Sequence, residues 1–167
     1  MKKLFTLFLL AILPLMANAQ VKRTVNVATA GTLSTLITAG EKYTIDELTL
    51  TGELNGSDLR LLRDMAGNDY MGQPTNGMLK KLDLSGANIV AGGDAYFDLD
   101  NNYINLGNTN YYYGFDDAPR TSEADTFGEY LFAGCQQLQT VKTPTSLIKI
   151  GNRVFAESGL SSILTAV

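Results

Sequence analysis

Two blocks near the end of the chain repeat each other, and this limits the fold more than any other feature. Gly128-Glu-Tyr-Leu131-Phe132-Ala133-Gly-Cys135 returns as Gly151-Asn-Arg-Val154-Phe155-Ala156-Glu-Ser158, with Phe132 and Phe155 23 residues apart. Behind them, Leu138-x-x-Val141-x-Thr143 returns as Leu160-x-x-Ile163-x-Thr165 at a spacing of 22, so the second copy is one residue shorter in its turn. Regular spacing of this length marks an array in which one unit cannot bury its apolar face alone and must stack on the next. A looser copy lies upstream, where Ile45-x-x-Leu48-x-Leu50-Thr51-Gly52 matches Leu79-x-x-Leu82-x-Leu84-Ser85-Gly86 with every position offset by 34. The alternative is an ordinary β-rich domain with chance Leu-x-Leu pairs, and four registered copies argue against it.

Alternate residues of a short strand face opposite sides. Leu82 and Leu84 are therefore expected inward, with Lys81, Asp83 and Ser85 outward. The same frame puts Glu47, Thr49, Thr140, Lys142, Ser162 and Leu164 on the outer face. Cys135 aligns with Ser158, which predicts a small side chain tucked under a turn and not a reactive thiol. Ahead of the repeats, Val25 and Val27 alternate like a strand, and Leu33, Leu36 and Ile37 predict a short helix ending at Gly40. Ser57 reads as the N-cap of a second helix, with Asp58 in its first turn, Leu59, Leu62 and Met65 at helical spacing, and Gly67 as its stop. Asn55-Gly56 and Asn76-Gly77 read as turns.

The start of the chain reads as a leader. Lys2 and Lys3 precede an apolar run from Leu4 to Met16, and Ala17-Asn18-Ala19 supplies a small-x-small cleavage pattern. The run is 13 residues, against roughly 20 for a membrane span. Residues 1–19 are thus expected to be a cleaved signal peptide, with Gln20 first in a mature chain that has no membrane span. No Cys follows the cleavage site, which disfavours a lipoprotein. The formal charge is −4, or −6 once Lys2 and Lys3 are gone. An acidic chain without a basic run argues against nucleic acid and anionic lipid as partners. One cysteine excludes a disulfide framework, and the absence of histidine removes the commonest general base, the commonest zinc ligand and every His-containing triad.

Here the residues resemble a known family. The pattern Gly-x-x-x-Phe-Ala-x-Cys-x-x-Leu-x-x-Val from Gly128 to Val141, followed by Pro144-Thr-Ser-Leu147-x-x-Ile150-Gly151, resembles the BspA-type leucine-rich repeat of bacterial surface proteins. The Leu79 to Gly86 segment is similar to the N-terminal region of Bacteroidetes members. The resemblance covers roughly residues 45–167 and is most specific at the end. It implies a secreted or surface-exposed solenoid, often adhesive, that binds host matrix proteins or other cells, and it brings no catalytic residues. The expected fold class is α/β leaning to mostly β, a leucine-rich-repeat solenoid with an N-terminal αβ cap. Residues 20–66 are assigned to that cap and the first strand unit, 67–91 to an irregular repeat, 92–125 to an insertion rich in Tyr, Asn and Asp, and 126–167 to regular repeats. The sequence stops at Val167 within a repeat, which reads as a truncated product or a piece of a longer array.

The insertion carries Tyr96, Phe97, Tyr103, Tyr111, Tyr112, Tyr113 and Phe115 among polar residues. Tyrosine-rich polar loops suit recognition, since each ring supplies area and a hydroxyl; the competing expectation is that the rings pack down to hold a long loop. Tyr111, Tyr112 and Tyr113 are the candidate ligand residues there, and Lys81 and Asp83 are the candidates on the ladder. Asp98-x-Asp100-x-Asn102 imitates the start of a calcium loop, but Tyr103 and Thr109 stand where Gly and Glu are required, so a solvated acidic turn is expected. Asp116, Asp117, Glu123 and Asp125 could in principle supply an acid–base pair, but nothing in their spacing fixes one. The expectation is a non-catalytic protein without metal or cofactor, secreted, on the cell surface or periplasmic. It would bind a protein, such as host matrix or another surface protein. The alternatives are a glycan-binding accessory protein using the tyrosine-rich insertion, or a structural N-terminal fragment of a longer array.

Overall fold

A computed structural model describes residues 20–98, 104–105, 110–111 and 119–165. The chain opens with β1 (Lys22–Val27), α1 (Leu33–Leu36), β2 (Glu47–Leu54) and α2 (Gly56–Met65). There follow β3 (Lys81–Ile89), β4 (Gly92–Phe97), β5 (Ile104–Asn105) and β6 (Asn110–Tyr111). The remaining strands are β7 (Arg120–Ser122), β8 (Thr126–Phe127), β9 (Thr140–Lys142), β10 (Lys149–Ile150) and β11 (Ser162–Leu164). The molecule is strand-rich with few helices, as expected. Residues 1–19, expected from the sequence to be a leader, lie outside the described residues, among which no helix is long and apolar enough to cross a membrane.

The central sheet runs β1-β2-β3-β9-β11, every pair parallel and every strand beside its predecessor in the chain among these five. Stacked units produce this order, because each apolar face is covered by the next copy. Leu48 pairs with Leu82, Leu82 with Val141, and Val141 with Ile163, which is the register the frame predicts. Leu48, Leu50, Leu82, Leu84 and Val141 are buried. The offset of 34 does not persist, however: Thr51 pairs with Gly86 and Gly52 with Ala87. An extra residue sits in β3 at Ser85, whose N–H and hydroxyl both donate to Asp83 Oδ1 at 2.9 and 2.6 Å. This bulge resets the alternation so that Ala87 and Ile89 also face the core.

The helix begins earlier than the sequence suggested. Asn55, not Ser57, is the N-cap, its side chain accepting from Ser57 N at 3.0 Å. Asp58 accepts from Asn55 N at 2.9 Å and also from Gly31 N and Leu33 N at 2.5 and 2.9 Å, joining the N-terminal strand unit to the helix. Asn55-Gly56 is therefore a helix start and not a turn. Glycine is required at position 56 because a Cβ there would meet Asp94 O at 2.0 Å. Asn76-Gly77 is likewise no turn but a close pass over the end of α2, where a Gly77 Cβ would meet Met65 O at 2.2 Å.

On the inner side of α2, Arg63 is fully buried beside Leu59 and Leu62. Its guanidinium donates to the carbonyls of Tyr130, Leu131 and Ala133 at 2.8, 2.8 and 3.2 Å, and to Asn68 Oδ1 and Asp69 O at 2.8 and 3.0 Å. It also lies 4.3 Å from the Phe97 ring centroid. One side chain thus satisfies a turn some 67 to 70 residues away.

That turn is the first of the two repeated blocks. Residues 129–134 and 152–157 adopt equivalent turns, joined by Phe132 N to Val154 O at 2.7 Å and Gly134 N to Ala156 O at 2.9 Å. The repeated phenylalanines stack at 5.8 Å and 11°, and Phe127 meets both edge-on. Left-handed backbone recurs in phase, at Tyr130 and Arg153 (φ +59° and +53°) and at Gly134 and Glu157 (φ +72° and +54°). Cys135 is buried and free, its thiol pushed up to about 11 by burial, which makes it a packing residue.

Part of the aromatic stretch belongs to the core. β4 pairs antiparallel with β7, and this brings Tyr96 and Phe97 inside. Tyr96 donates to Glu129 O at 3.0 Å, and Phe97 lies 5.7 Å from Tyr130, ring to ring. For these two rings, packing is the observed role.

Candidate functional site

The parallel ladder lines up its outward residues in rows. One row runs Lys22, Glu47, Lys81, Thr140, Ser162; the next runs Thr24, Thr49, Asp83, Lys142, Leu164. Of the outward positions read from sequence, Glu47, Thr49, Lys81, Asp83, Thr140, Lys142, Ser162 and Leu164 occupy their places, while Ser85 falls at the bulge. Lys22 and Thr24 were missed because β1 carries no Leu-x-x-Leu frame and its register cannot be read from spacing. Between the rows lies a shallow groove of about 230 Å³ lined by Glu47, Thr49, Lys81, Asp83, Thr140, Lys142 and Leu164.

The charges in these rows are largely answered within the ladder. Glu47 receives Lys22 at 2.8 Å on one side and Lys81 at 2.5 Å on the other. These two bonds hold its carboxyl below the usual range. Asp83 lies 3.5 Å from Lys142. Partial burial works against its charge, but bonds from Ser85 and then the Lys142 charge prevail, and its carboxyl is also lowered. Lys81 and Asp83 therefore share one face but belong to different cross-strand pairs. Such a surface is near-neutral, patterned and rigid, with Leu164 as its exposed apolar member.

The other sequence candidates fare differently. Tyr112 and Tyr113 lie outside the described residues; of Tyr111 only the backbone is placed, in β6, paired antiparallel with Ile104 of β5. Asp100, Asn102, Asp116 and Asp117 also lie outside. Glu123 is exposed and lies 3.8 Å from Lys149, and Asp125 N donates to Ile89 O. No group of His, Cys, Asp or Glu among the described residues is arranged to hold a metal ion. Arg63 was missed by sequence reading. The signal was present: position 63 lies one turn after Leu59 and next to Leu62 on the apolar stripe, where a cation is out of place unless its donors are all used.

With this geometry established, the comparison with known families is informative. Residues 98–166 match the model described as a BspA type leucine rich repeat region (6 copies). This part of the chain is similar to the BspA-type leucine-rich repeats. The matched residues include β9, β11 and the packed trio Phe127, Phe132 and Phe155. β1, β2 and β3 precede the match, yet share one sheet with these BspA-type repeats through the β3–β9 pairing. Leucine-rich repeats of this type point in general to protein binding or adhesion. No curated protein matches the chain.

Proposed function

We propose that this chain is a non-catalytic, exported protein-binding module whose ladder forms the contact surface of a leucine-rich-repeat solenoid. The observation that carries the reading is the pair of aligned outward rows, continuous over five parallel strands. A surface of fixed, internally paired charges discriminates partners by position: a ligand must replace the existing Lys81–Glu47 and Lys142–Asp83 bonds with matching ones. The partner class is a protein exposed outside the cell, either host matrix or a surface protein of another cell. The absence of histidine and the scattering of acids favour binding over catalysis.

The test is a binding screen of the chain against matrix proteins, repeated with the charge-reversed pair Lys81→Glu and Asp83→Lys. The reversal sets like charges beside Glu47 and Lys142 and removes the Ser85–Asp83 bonds, so the melting temperature should fall. With the fold checked by circular dichroism and binding read well below that temperature, affinity for the true partner should fall at least tenfold, since each ladder contact of this kind contributes roughly 1–2 kcal/mol. Affinity unmoved by the reversal, but lost in a Tyr111, Tyr112, Tyr113→Ala variant, would transfer the site to the insertion.

A further inference from the structure

We propose that a second surface, a groove along the outer side of α2 away from the ladder rows, binds a neutral saccharide. The groove encloses about 480 Å³ and is lined by Tyr43, Arg60, Leu61, Asp64, Asp69, Tyr70 and Asp94 among small hydroxyl residues. Its volume is that of a small-molecule pocket, and it combines apolar area from Leu61 and two tyrosines with planar polar groups around them. Those groups are held in place. Asp64 accepts from Lys42 Nζ and the Tyr43 hydroxyl at 2.5 and 2.9 Å. Asp69 Oδ1 accepts from Met71 N and Gln73 N at 2.9 and 2.8 Å. Asp94 and Ser57 bond each other twice, at 2.9 and 3.1 Å. Arg60 lies 3.3 Å over the Tyr70 ring.

This fixation leaves functional capacity facing outward. Arg60 keeps its guanidinium donors, and Asp69 Oδ2 and Asp94 Oδ1 keep acceptor capacity, with no hydrogen-bond partner for any of them among the described residues. One guanidinium and two carboxylates in the same groove as two tyrosines and Leu61 can pair with vicinal hydroxyls on a sugar ring, whose C–H face needs apolar surface. Carboxylates beside Arg60 disfavour an anionic ligand, and Arg60 with Lys42 disfavours a cationic one. Because the groups are already ordered, little freedom is lost on binding.

The experiment is a titration of the full chain with neutral gluco-, manno- and galacto-configured hexasaccharides, a sialylated oligosaccharide and a lysine-rich peptide, read by amide NMR shifts and calorimetry. Saturable binding of a neutral hexasaccharide with shifts at residues 57–75 is expected. It should weaken at least tenfold in Tyr70→Ala and in Asp94→Asn and be unchanged in Lys81→Ala. Should Tyr70→Ala lose its fold by circular dichroism, Asp94→Asn and the shift map decide. No binding of any neutral hexasaccharide, binding of the sialylated sugar or the peptide alone, or binding that survives Asp94→Asn would each overturn the proposal. The ladder reading stands apart from all of these, because it is scored on protein partners.

Discussion

At the scale of single residues, two positions hold more of the structure than their types suggest. Arg63 carries its charge into the core and still meets five acceptors, all of them outside α2 and three of them carbonyls of the repeat turn. Its replacement by Leu strands the carbonyls of Tyr130, Leu131 and Ala133. Since a bond to a charged donor is worth roughly 1.5–3 kcal/mol, Arg63→Leu is expected to cost about 3 kcal/mol or more in urea unfolding. Lys in its place should recover little, because an ammonium cannot reach a fan of acceptors as a fork does. A cost below about 1 kcal/mol would mean that water satisfies those carbonyls. Glu157 is the converse case. It stands at φ +54° where the preceding copy has Gly134, a conformation that costs a side-chain-bearing residue about 1–2 kcal/mol. Glu157→Gly should therefore raise the unfolding midpoint slightly, by up to about 1 kcal/mol after the entropy glycine adds to the unfolded chain. Gly134→Ala should lower it by a similar amount, and equal effects of the same sign would contradict the argument.

Among the elements, the strands were legible in the sequence because their inward leucines recur at fixed offsets, and burial leaves few other ways to use them. What was illegible depends on particular side-chain bonds, some local and some distant, that a spacing rule does not contain. The start of α2 lies at Asn55 because the Asn55 side chain accepts from Ser57 N while Asp58 accepts from the Asn55 N–H, and Asp94, far along the chain, approaches the next residue so closely that only glycine fits there. The bulge at Ser85 is invisible to a spacing rule, since its cause is a side-chain bond to Asp83. On the candidate surface, the frame placed Lys81, Asp83 and Lys142 on one face, but neither the Lys22 that binds Glu47 nor the pairing of Lys142 with Asp83. Those pairings predict an acid response. Glu47, Asp46 and Asp83 all have lowered carboxyls, Glu47 through Lys22 then Lys81, Asp46 through Lys80 then Val21 N, and Asp83 through Ser85 and Lys142 against its burial. A lowered carboxyl stabilises the fold fully above its ordinary value, 4.5 for Glu47 and 3.8 for the two aspartates, and that contribution fades as pH falls through the lower folded value. The melting temperature should thus fall between about pH 5 and pH 3. Glu47→Gln should flatten part of that slope, and an unchanged slope would show that the Lys22 and Lys81 bonds do not persist in solution.

For the molecule as a whole, the repeats predict a gradient of stability along the ladder. In an array, each unit draws its stability from itself and its immediate neighbours, so units opening from an end do so without the rest. The two copies are alike in sequence but not in burial. Val141 is fully buried while its counterpart Ile163 is 44% exposed. Phe132 and Ala133 are buried where Phe155 and Ala156 are only partly so. The first copy is also held from behind by Arg63, which reaches its turn carbonyls and has no equivalent contact with the second. Both differences act in the same direction. Amide hydrogen exchange should show residues 152–164 exchanging at a lower opening free energy than residues 129–142, with β2 and β3 slowest of all. In Arg63→Leu the protection of residues 129–142 should drop towards that of the second copy, while β1 and β2 change least. Uniform protection across both copies, before and after that substitution, would mean that the sheet opens as one cooperative unit and that the repeat boundaries read from spacing carry no energetic weight.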